Sequence, residues 1–217
     1  MNRTHTMIAL AVTAVGAGLL VAGPLTPPSG PVTPSYKTLQ EVEPRTPISA
    51  TTTPGGLGAI YKITQPGSYY LTGNVTPNYF NSAIQVSSSN VTIDLNGYSL
   101  LGAGATGAPS ALIVDSGLSN IVVKNGSAIG WPGAGFNLGS ATNSRAIDLT
   151  SAGNGAVGIS LGDNATVTGC VSANNGNGGI TCGASSLMSN CTARSNQVNG
   201  FTGTYAGAIS NCRAECN

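Results

Sequence analysis

The sequence predicts an all-β protein, a parallel β-helix in which about five to six short coils of chain stack into a solenoid. The first observation behind this is a repeat of 21 residues towards the C-terminal end. Its clearest columns hold cysteine or asparagine at equivalent places: Cys170, Cys191, Cys212, Asn175, Asn196 and Asn217. The second observation is composition, since 41% of the residues are hydrophobic and only 7% are charged. Apolar residues in regular columns favour stacked strands over disorder.

A third observation concerns the bends between the short strands. Gly169, Asn190 and Asn211 occupy one position of the repeat, and Asn96 and Asn125 occupy the corresponding position in earlier coils. Glycine and asparagine share a low cost in the left-handed backbone conformation. This column therefore predicts a sharp corner at the same place in each coil.

Three regions are expected along the chain. Residues 1–23 have the pattern of a secretory signal, with Arg3 followed by an apolar run from 8 to 21. An uncleaved membrane anchor is the alternative for this region. Residues 24–56 are rich in Pro, Thr and Ser and predict an extended linker, which leaves 57–217 for the β-helix domain. The predicted location is therefore secreted or at the cell surface.

The coils of the domain differ in how well they fit this pattern. Residues 60–75 predict two strands joined at Pro66-Gly67, and they are expected to cover the open bottom of the stack. The third coil, 136–155, fits least well. Strand alternation places Arg145 at an inward position, and an unpaired buried guanidinium is too costly. We therefore expect a bulge or register change at this coil.

The repeated unit is a short apolar strand, an Asn or Gly bend, a small second strand, an Asn-rich turn and a Gly-led strand. This unit resembles the right-handed parallel β-helix of the pectate-lyase-like superfamily, and in particular its uncharacterised secreted bacterial members. The resemblance covers about residues 57–217. It implies a fold and export, and it names no reaction, because many activities share this scaffold. The clustered Asp, Gly-His-Gly and Arg-Ile-Lys signatures of the superfamily's pectin hydrolases are absent from the sequence.

Charge and histidine content exclude several classes of function. The formal net charge is +1 and no basic stripe is visible, so no nucleic-acid partner is expected. The single histidine is His5, inside the predicted signal. A mature chain without imidazole cannot be a Ser-His-Asp hydrolase, and most zinc enzymes are excluded with it.

The strongest candidates for catalysis are charged residues on successive coils. Aligning the apolar residues Ile93, Val123 and Ile147 places a charged residue after each of them, in one outward column: Asp94, Lys124 and Asp148. Neighbouring members of such a column are about 5 Å apart. Arg145 lies close to it in sequence.

Two interpretations of this column remain. In the functional one, the carboxylates hold a calcium ion or a uronate and Lys124 or Arg145 removes a proton, as in a polysaccharide lyase. In the structural one, which we favour, charges of alternating sign neutralise one another on exposed strands. No cofactor is expected, and Ca²⁺ is expected only under the lyase interpretation.

Two aromatic residues are candidates for ligand binding. Trp131, the one tryptophan, is either a platform for a sugar ring or a cap over the edge of a coil. Tyr79 belongs to an aromatic group near the start of the domain that could stack on sugars, although a capping role is the commoner one.

Cysteine and asparagine columns have structural explanations. The cysteines at 170, 191 and 212 are expected to form a buried ladder of thiols, with one disulfide bridge allowed in an exported protein. The asparagines at 175, 196 and 217 predict a ladder of side-chain amides at a turn.

The last coil of the sequence carries no polar cap. Exposed strand edges favour pairing with another chain. Self-association through this coil, capping by another protein, and a chain shortened relative to its relatives are the three explanations.

These observations favour a secreted or cell-surface β-helix protein with a structural or carbohydrate-binding role. Its expected partner is a polysaccharide or a cell-surface glycan. The alternative is a polysaccharide lyase or glycoside hydrolase that acts on a uronate-containing polysaccharide through Asp94, Lys124, Asp148 and Arg145.

Overall fold

Parallel strands stacked in about seven turns form a β-solenoid, which confirms the predicted all-β fold with slightly more coils than expected. The computed structural model describes residues 42–77, 80–102, 107–203 and 205–217. The predicted signal at 1–23, most of the predicted linker, and Tyr79 lie outside the described residues. Within the described ranges, no helix has the length and apolar character that a membrane crossing requires.

The described chain contains twenty strands, most of them three to five residues long. In chain order they are β1 (Thr46–Pro47), β2 (Pro54–Gly56), β3 (Ala59–Ile63), β4 (Gly67–Tyr70), β5 (Ser82–Val86), β6 (Val91–Asp94), β7 (Ser99–Leu101), β8 (Leu112–Val114), β9 (Ile121–Ile129), β10 (Phe136–Leu138), β11 (Arg145–Ala152), β12 (Ile159–Leu161), β13 (Thr166–Thr168), β14 (Val171–Ala173), β15 (Ile180–Cys182), β16 (Leu187–Ser189), β17 (Thr192–Arg194), β18 (Phe201–Gly203), β19 (Ala208–Ser210) and β20 (Arg213–Glu215).

These strands form two sheets that wrap around a common core. An eight-stranded sheet has the order β18-β15-β12-β10-β8-β5-β3-β2, and all of its pairings are parallel except β2 with β3. The other sheet has twelve strands and turns a corner within the long strands β9 and β11. The first half of β11 pairs with β13 and its second half pairs with β14. Each turn of the solenoid therefore has three sides.

The core runs along the axis of the solenoid because like residues stack in register. On the eight-stranded sheet one fully buried column consists of Ile84, Leu112, Phe136, Ile159 and Ile180. Burying each such side chain stabilises the fold by about 1.5–3 kcal/mol. Short strands that cannot bury a face alone do so by contact with the turns above and below.

The predicted corner column is confirmed. Its members have left-handed backbone, with φ angles between 50° and 65°: Asn96, Asn125, Gly169, Asn190 and Asn211. Asp148, at φ 51°, is the corner residue of the intervening turn. An aspartate is tolerated there because its short polar side chain, like that of asparagine, lowers the cost of this conformation.

The structure corrects the expectation for Arg145. Ala146 and Leu149 are the inward residues of this turn, and Arg145 is exposed. Strands β9 and β11 pair without a bulge, at a constant offset in which Ile147 faces Lys124 and Leu149 faces Gly126. The expected alternation placed Arg145, Ile147 and Leu149 inwards. Because the chain turns a corner at Asp148, the inward residue before this corner is Ala146, and Ile147 points outwards.

The ordered fold begins before residue 57, inside the region assigned to the linker. Strand β1 pairs with β4, and Ile48, which follows it, is only 3% exposed. Strand β2 forms an antiparallel pair with β3. Pro47 is tolerated in β1 because this strand lies at the edge of its sheet and has one partner. A proline there, which lacks a backbone N–H, leaves no hydrogen bond of the sheet unformed.

The predicted ladder of side-chain amides is confirmed and has one more member, Asn154. Each Nδ2 donates to the Oδ1 of the asparagine one turn further on, at 2.9, 2.9 and 2.8 Å from Asn154 to Asn217. The same oxygens also accept the backbone N–H of the asparagine before them, at 3.1–3.2 Å. Asn154, Asn175 and Asn196 are buried. Their amides are thus paired where unpaired ones would be costly.

The cysteines form the expected thiol ladder. All five described cysteines are free; Cys170 and Cys191 are buried on neighbouring turns, and Cys212 is half-buried on the next. A hydrogen bond shared with Cys191 and burial both raise the pKa of Cys170. Burial raises the pKa of Cys182, which lies outside this ladder, to about 12. Cys170 and Cys182 therefore pack as uncharged thiols at neutral pH.

The last described turn is less well covered than the others. Ile209 follows the buried residues Val167 and Met188 in one inward column, yet it is 52% exposed. Self-association at this turn stays a prediction.

Replacing Asn175 with Ala should lower the free energy of unfolding by about 1–3 kcal/mol, because its neighbours in the ladder lose buried hydrogen-bond partners. Chemical denaturation followed by far-UV circular dichroism measures this change. Asn199→Ala is the control, since Asn199 is exposed and lies outside the ladder. Equal stability of the two variants would contradict a stabilising role for the ladder.

Candidate functional site

Two surfaces of the described chain carry groups that could bind a ligand. The first is a charged cluster formed by Glu43, Arg45, Asp94 and Lys124. Asp94 and Lys124 are in register on β6 and β9, and the Lys124 Nζ lies 3.3 Å from the Asp94 Oδ2. The sequence therefore placed these two residues correctly on successive turns.

Asp148 and Arg145 do not extend this column. The residue that faces Lys124 on the next turn is Ile147, while Asp148 is the corner residue of β11. Arg145 faces Val122 instead. Among the described residues no ion pair joins either of them to Asp94 or Lys124. The predicted column of three charges is wrong because it assumed that Ile147 points inwards.

Arg45 and Glu43 complete the cluster from the region assigned to the linker. The Arg45 Nη1 lies 3.1 Å from the Asp94 Oδ2, and the Glu43 carboxylate binds the same guanidinium at 2.7 and 2.8 Å. The guanidinium also lies 4.8 Å from the centre of the Tyr70 ring, which is a cation–π distance. Sequence reasoning missed these contacts because Arg45 and Asp94 are 49 residues apart. The available signal was a group of four charged residues within a Pro- and Thr-rich stretch, Lys37, Glu41, Glu43 and Arg45.

The Asp94 carboxylate is fully engaged within the protein. Its Oδ1 accepts hydrogen bonds from the Asn96 backbone N–H at 2.9 Å and the Asn125 Nδ2 at 3.2 Å. Burial raises the pKa of Asp94, but these hydrogen bonds and Lys124 outweigh it, so the pKa lies below its ordinary value. A carboxylate held in this way is a poor proton acceptor, and a ligand would have to displace these partners. The geometry favours the structural interpretation of the pair.

Candidate metal ligands do not cluster in the part of the chain that the structure describes. No three His, Cys, Asp or Glu side chains there lie close enough together to hold a metal ion.

Trp131 is a core residue. It is 1% exposed, and its indole N–H donates to the Leu100 carbonyl oxygen at 2.9 Å. A ring enclosed on both faces offers no surface for stacking on a sugar, so this interpretation of Trp131 is wrong. Tyr79, the other aromatic candidate, falls outside the described residues.

The second surface is a groove of about 320 Å³ on the outside of the eight-stranded sheet. It spans three turns of the solenoid, between the strands and the bends that follow them. We call it the hydroxyl groove after the polar side chains that line it: Ser140, Thr142, Ser160, Asp163 and Thr181. Ser160 and Thr181 are the outward residues of β12 and β15 and lie directly opposite each other.

Glycines explain why this groove is open. Gly139, Gly162 and Gly183 follow β10, β12 and β15 at the point where each strand ends. A side chain at Gly162 would overlap the Ala141 carbonyl oxygen, and one at Gly183 would overlap the Asp163 carboxylate. The turns can approach each other only without a Cβ here, and the groove therefore has a floor of backbone and small residues.

Asp163 is the carboxylate of the hydroxyl groove. It is exposed, and its Oδ1 accepts a hydrogen bond from the Ala184 backbone N–H at 2.7 Å. Among the described lining residues no second carboxylate faces it. The groove can therefore donate and accept hydrogen bonds, but it does not bring together the two carboxylates that glycoside hydrolysis ordinarily requires.

Comparison with known proteins gives little further information. No family model matches the chain, and no curated protein matches it. One solved structure, of a proposed glycosyl hydrolase from Parabacteroides merdae, is 13% identical, with a TM-score of 0.28. The similarity covers 71% of this chain and 82% of that one. It is too low to indicate a shared fold or activity, and membership of the pectate-lyase-like superfamily stays a prediction.

The charged cluster predicts a dependence of stability on pH. The hydrogen bonds from Arg45 lower the pKa of Glu43 to about 2, and the pKa of Asp94 is also lowered. In the unfolded chain these carboxyl groups have pKa values of about 4. At a pH above 4 their lowered pKa values stabilise the fold, and this contribution is lost as the pH falls towards 2. Equilibrium denaturation between pH 7 and pH 2 should therefore show decreasing stability below pH 4.5.

Asp94→Asn should lower the free energy of unfolding at pH 7 by about 1–3 kcal/mol and make this acid dependence shallower. Asp148→Asn is the matched control, because asparagine suits the corner conformation and Asp148 lies outside the cluster. An unchanged acid dependence in Asp94→Asn would show that the Asp94 carboxylate does not contribute to stability.

Proposed function

We propose that this protein is a non-catalytic β-solenoid of the cell surface or the extracellular medium that binds a polysaccharide or cell-surface glycan. The observation that carries the proposal is the hydroxyl groove, a polar depression of about 320 Å³ on the outside of a stack of parallel strands. Export is inferred from the apolar run after Arg3 in the sequence.

Rigidity supports this proposal. Each groove-lining strand is hydrogen-bonded to the strands of the turns before and after it, as in the pairing of β12 with β10 and β15. The backbone that carries the side chains lining the groove is thus fixed before binding. A pre-organised surface loses little conformational entropy when a ligand binds, which increases affinity without additional contacts.

The chemistry of the lining also supports a glycan. Serine and threonine hydroxyls both donate and accept hydrogen bonds, and a sugar hydroxyl does the same. The glycines and alanines between them allow a flat ring to approach the backbone closely. The groove is open to solvent along its length, which suits a long polymer better than a small molecule.

The enzymatic alternative has less support. A lyase would need a free base beside a cation, whereas Asp94 is paired with both Arg45 and Lys124. A hydrolase would need a second carboxylate across from Asp163, and none faces it in the described lining. Release of unsaturated sugars from a uronate polymer, abolished by Lys124→Ala, would establish the lyase instead.

Blocking the groove tests the proposed function. Ser160→Met should reduce binding to a retained polysaccharide at least tenfold, because the longer apolar side chain fills the groove and removes a hydroxyl. Affinity electrophoresis in gels that contain individual polysaccharides measures this loss.

Thr150→Met is the matched control, since Thr150 is an exposed outward residue of β11, on a different sheet. A wild-type protein that no polysaccharide retards would contradict the proposed function.

A further inference from the structure

We infer that the glycan site extends from the hydroxyl groove to Tyr205, which serves as a stacking platform, and that the glycan is uncharged. This inference rests on the proposed function and adds the class of ligand and the direction in which it lies. The glycan runs along the axis of the solenoid, from Asp163 to Tyr205.

The register of the strands places Tyr205 in line with the groove. Cys182 faces Leu161 on one side and Gly203 on the other, and Leu187 faces Thr166 and Ala208. The bends between these pairs have the same length on all three turns. Asp163, Ala184 and Tyr205 therefore occupy one position on successive turns.

Backbone hydrogen bonds support this alignment. The Asn164 N–H donates to the Ala184 carbonyl oxygen at 2.8 Å, and the Ser185 N–H donates to the Tyr205 carbonyl oxygen at 2.9 Å. Neighbouring turns are about 4.8 Å apart, so Asp163 and Tyr205 are separated by roughly 10 Å along the axis. Two linked sugar rings span a distance of this size.

Tyr205 is accessible in a way that is unusual for an aromatic side chain. It is 91% exposed, whereas Tyr69 is 7% exposed and part of the core. Ala184, the residue between Tyr205 and Asp163, contributes only a methyl group. The ring is thus open to a ligand that lies along the turns, and sugars stack on such rings through their C–H faces.

The charges around the groove select the ligand. Among its described lining residues there is no lysine or arginine, and the one charged side chain is the Asp163 carboxylate. On the outer face of the eight-stranded sheet, Lys62 is in register with Ser160, but it lies four turns away from it. A uronate would meet a negative charge without a compensating cation, which disfavours its binding. A neutral glycan meets hydroxyls and an acceptor for its own hydroxyl groups.

The test compares neutral polymers with uronate polymers. We expect wild-type protein to bind at least one neutral polysaccharide among β-glucan, xylan and galactomannan, and to bind polygalacturonate and alginate at least tenfold more weakly. Tyr205→Ala should weaken the neutral interaction about three- to tenfold, while Tyr205→Phe keeps it. Phe80→Ala is the control, because Phe80 is also exposed but precedes β5, which does not line the groove. Isothermal titration calorimetry gives the affinities.

A second variant tests the contribution of charge. Asp163→Asn should raise the affinity for polygalacturonate relative to the neutral polymer, because it removes the repulsive charge. If wild-type protein binds a neutral polymer and Tyr205→Ala binds it equally well, the platform is wrong while the proposed function stands. Preferential binding to a uronate polymer would overturn the inferred ligand class. Absence of binding to every polymer would overturn the proposed function itself.

Discussion

The parallel, in-register pairing of each turn with the next is the constraint on which the rest of the structure depends. It requires that the chain return to the same place after each turn, and left-handed residues at the corners, such as Ser185, Asn190 and Ser195 in one turn, provide that return. Once the turns are in register, similar side chains meet along the axis. The amide ladder, the thiol ladder and the fully buried apolar column all follow from this arrangement.

The amide ladder shows how the constraint is enforced at a turn. Each buried asparagine side chain bridges to the backbone and to the amide of a neighbouring turn. A slip by one residue would leave several buried polar groups without partners, at a cost comparable to a large part of the stability of a small domain. The asparagines thus select one register as well as stabilising it.

The sequence was sufficient to predict the features that repeat at a constant interval. The corner residues Asn190 and Asn211, the amides and the thiols all lie in the region of strict 21-residue spacing. Arg145 and Asp148 were misplaced because their turn has a different length and carries aspartate at its corner. The contact of Arg45 with Asp94 was missed for a different reason, since nothing in the local pattern links residues so far apart in the chain.

The two candidate surfaces differ in whether their polar groups are free to bind a ligand. In the charged cluster the carboxylates and cations satisfy one another and anchor the first strand to the stack. In the hydroxyl groove, glycines keep the floor low, and the hydroxyls of Ser160 and Thr181 face outwards. Periodicity alone could not reveal the groove, because its residues vary from turn to turn and only their positions are shared.

Distances between spin labels along one outward column test the stacking most directly. The eight-stranded sheet places Lys62 three turns from Asn137, five from Thr181 and six from Thr202. Spin labels are attached to cysteines introduced at these positions, in a Cys212→Ser, Cys216→Ser background. The backbone separations from position 62 to positions 137, 181 and 202 should be about 14, 24 and 29 Å. Separations that do not increase in proportion to the number of turns would contradict the stacked solenoid.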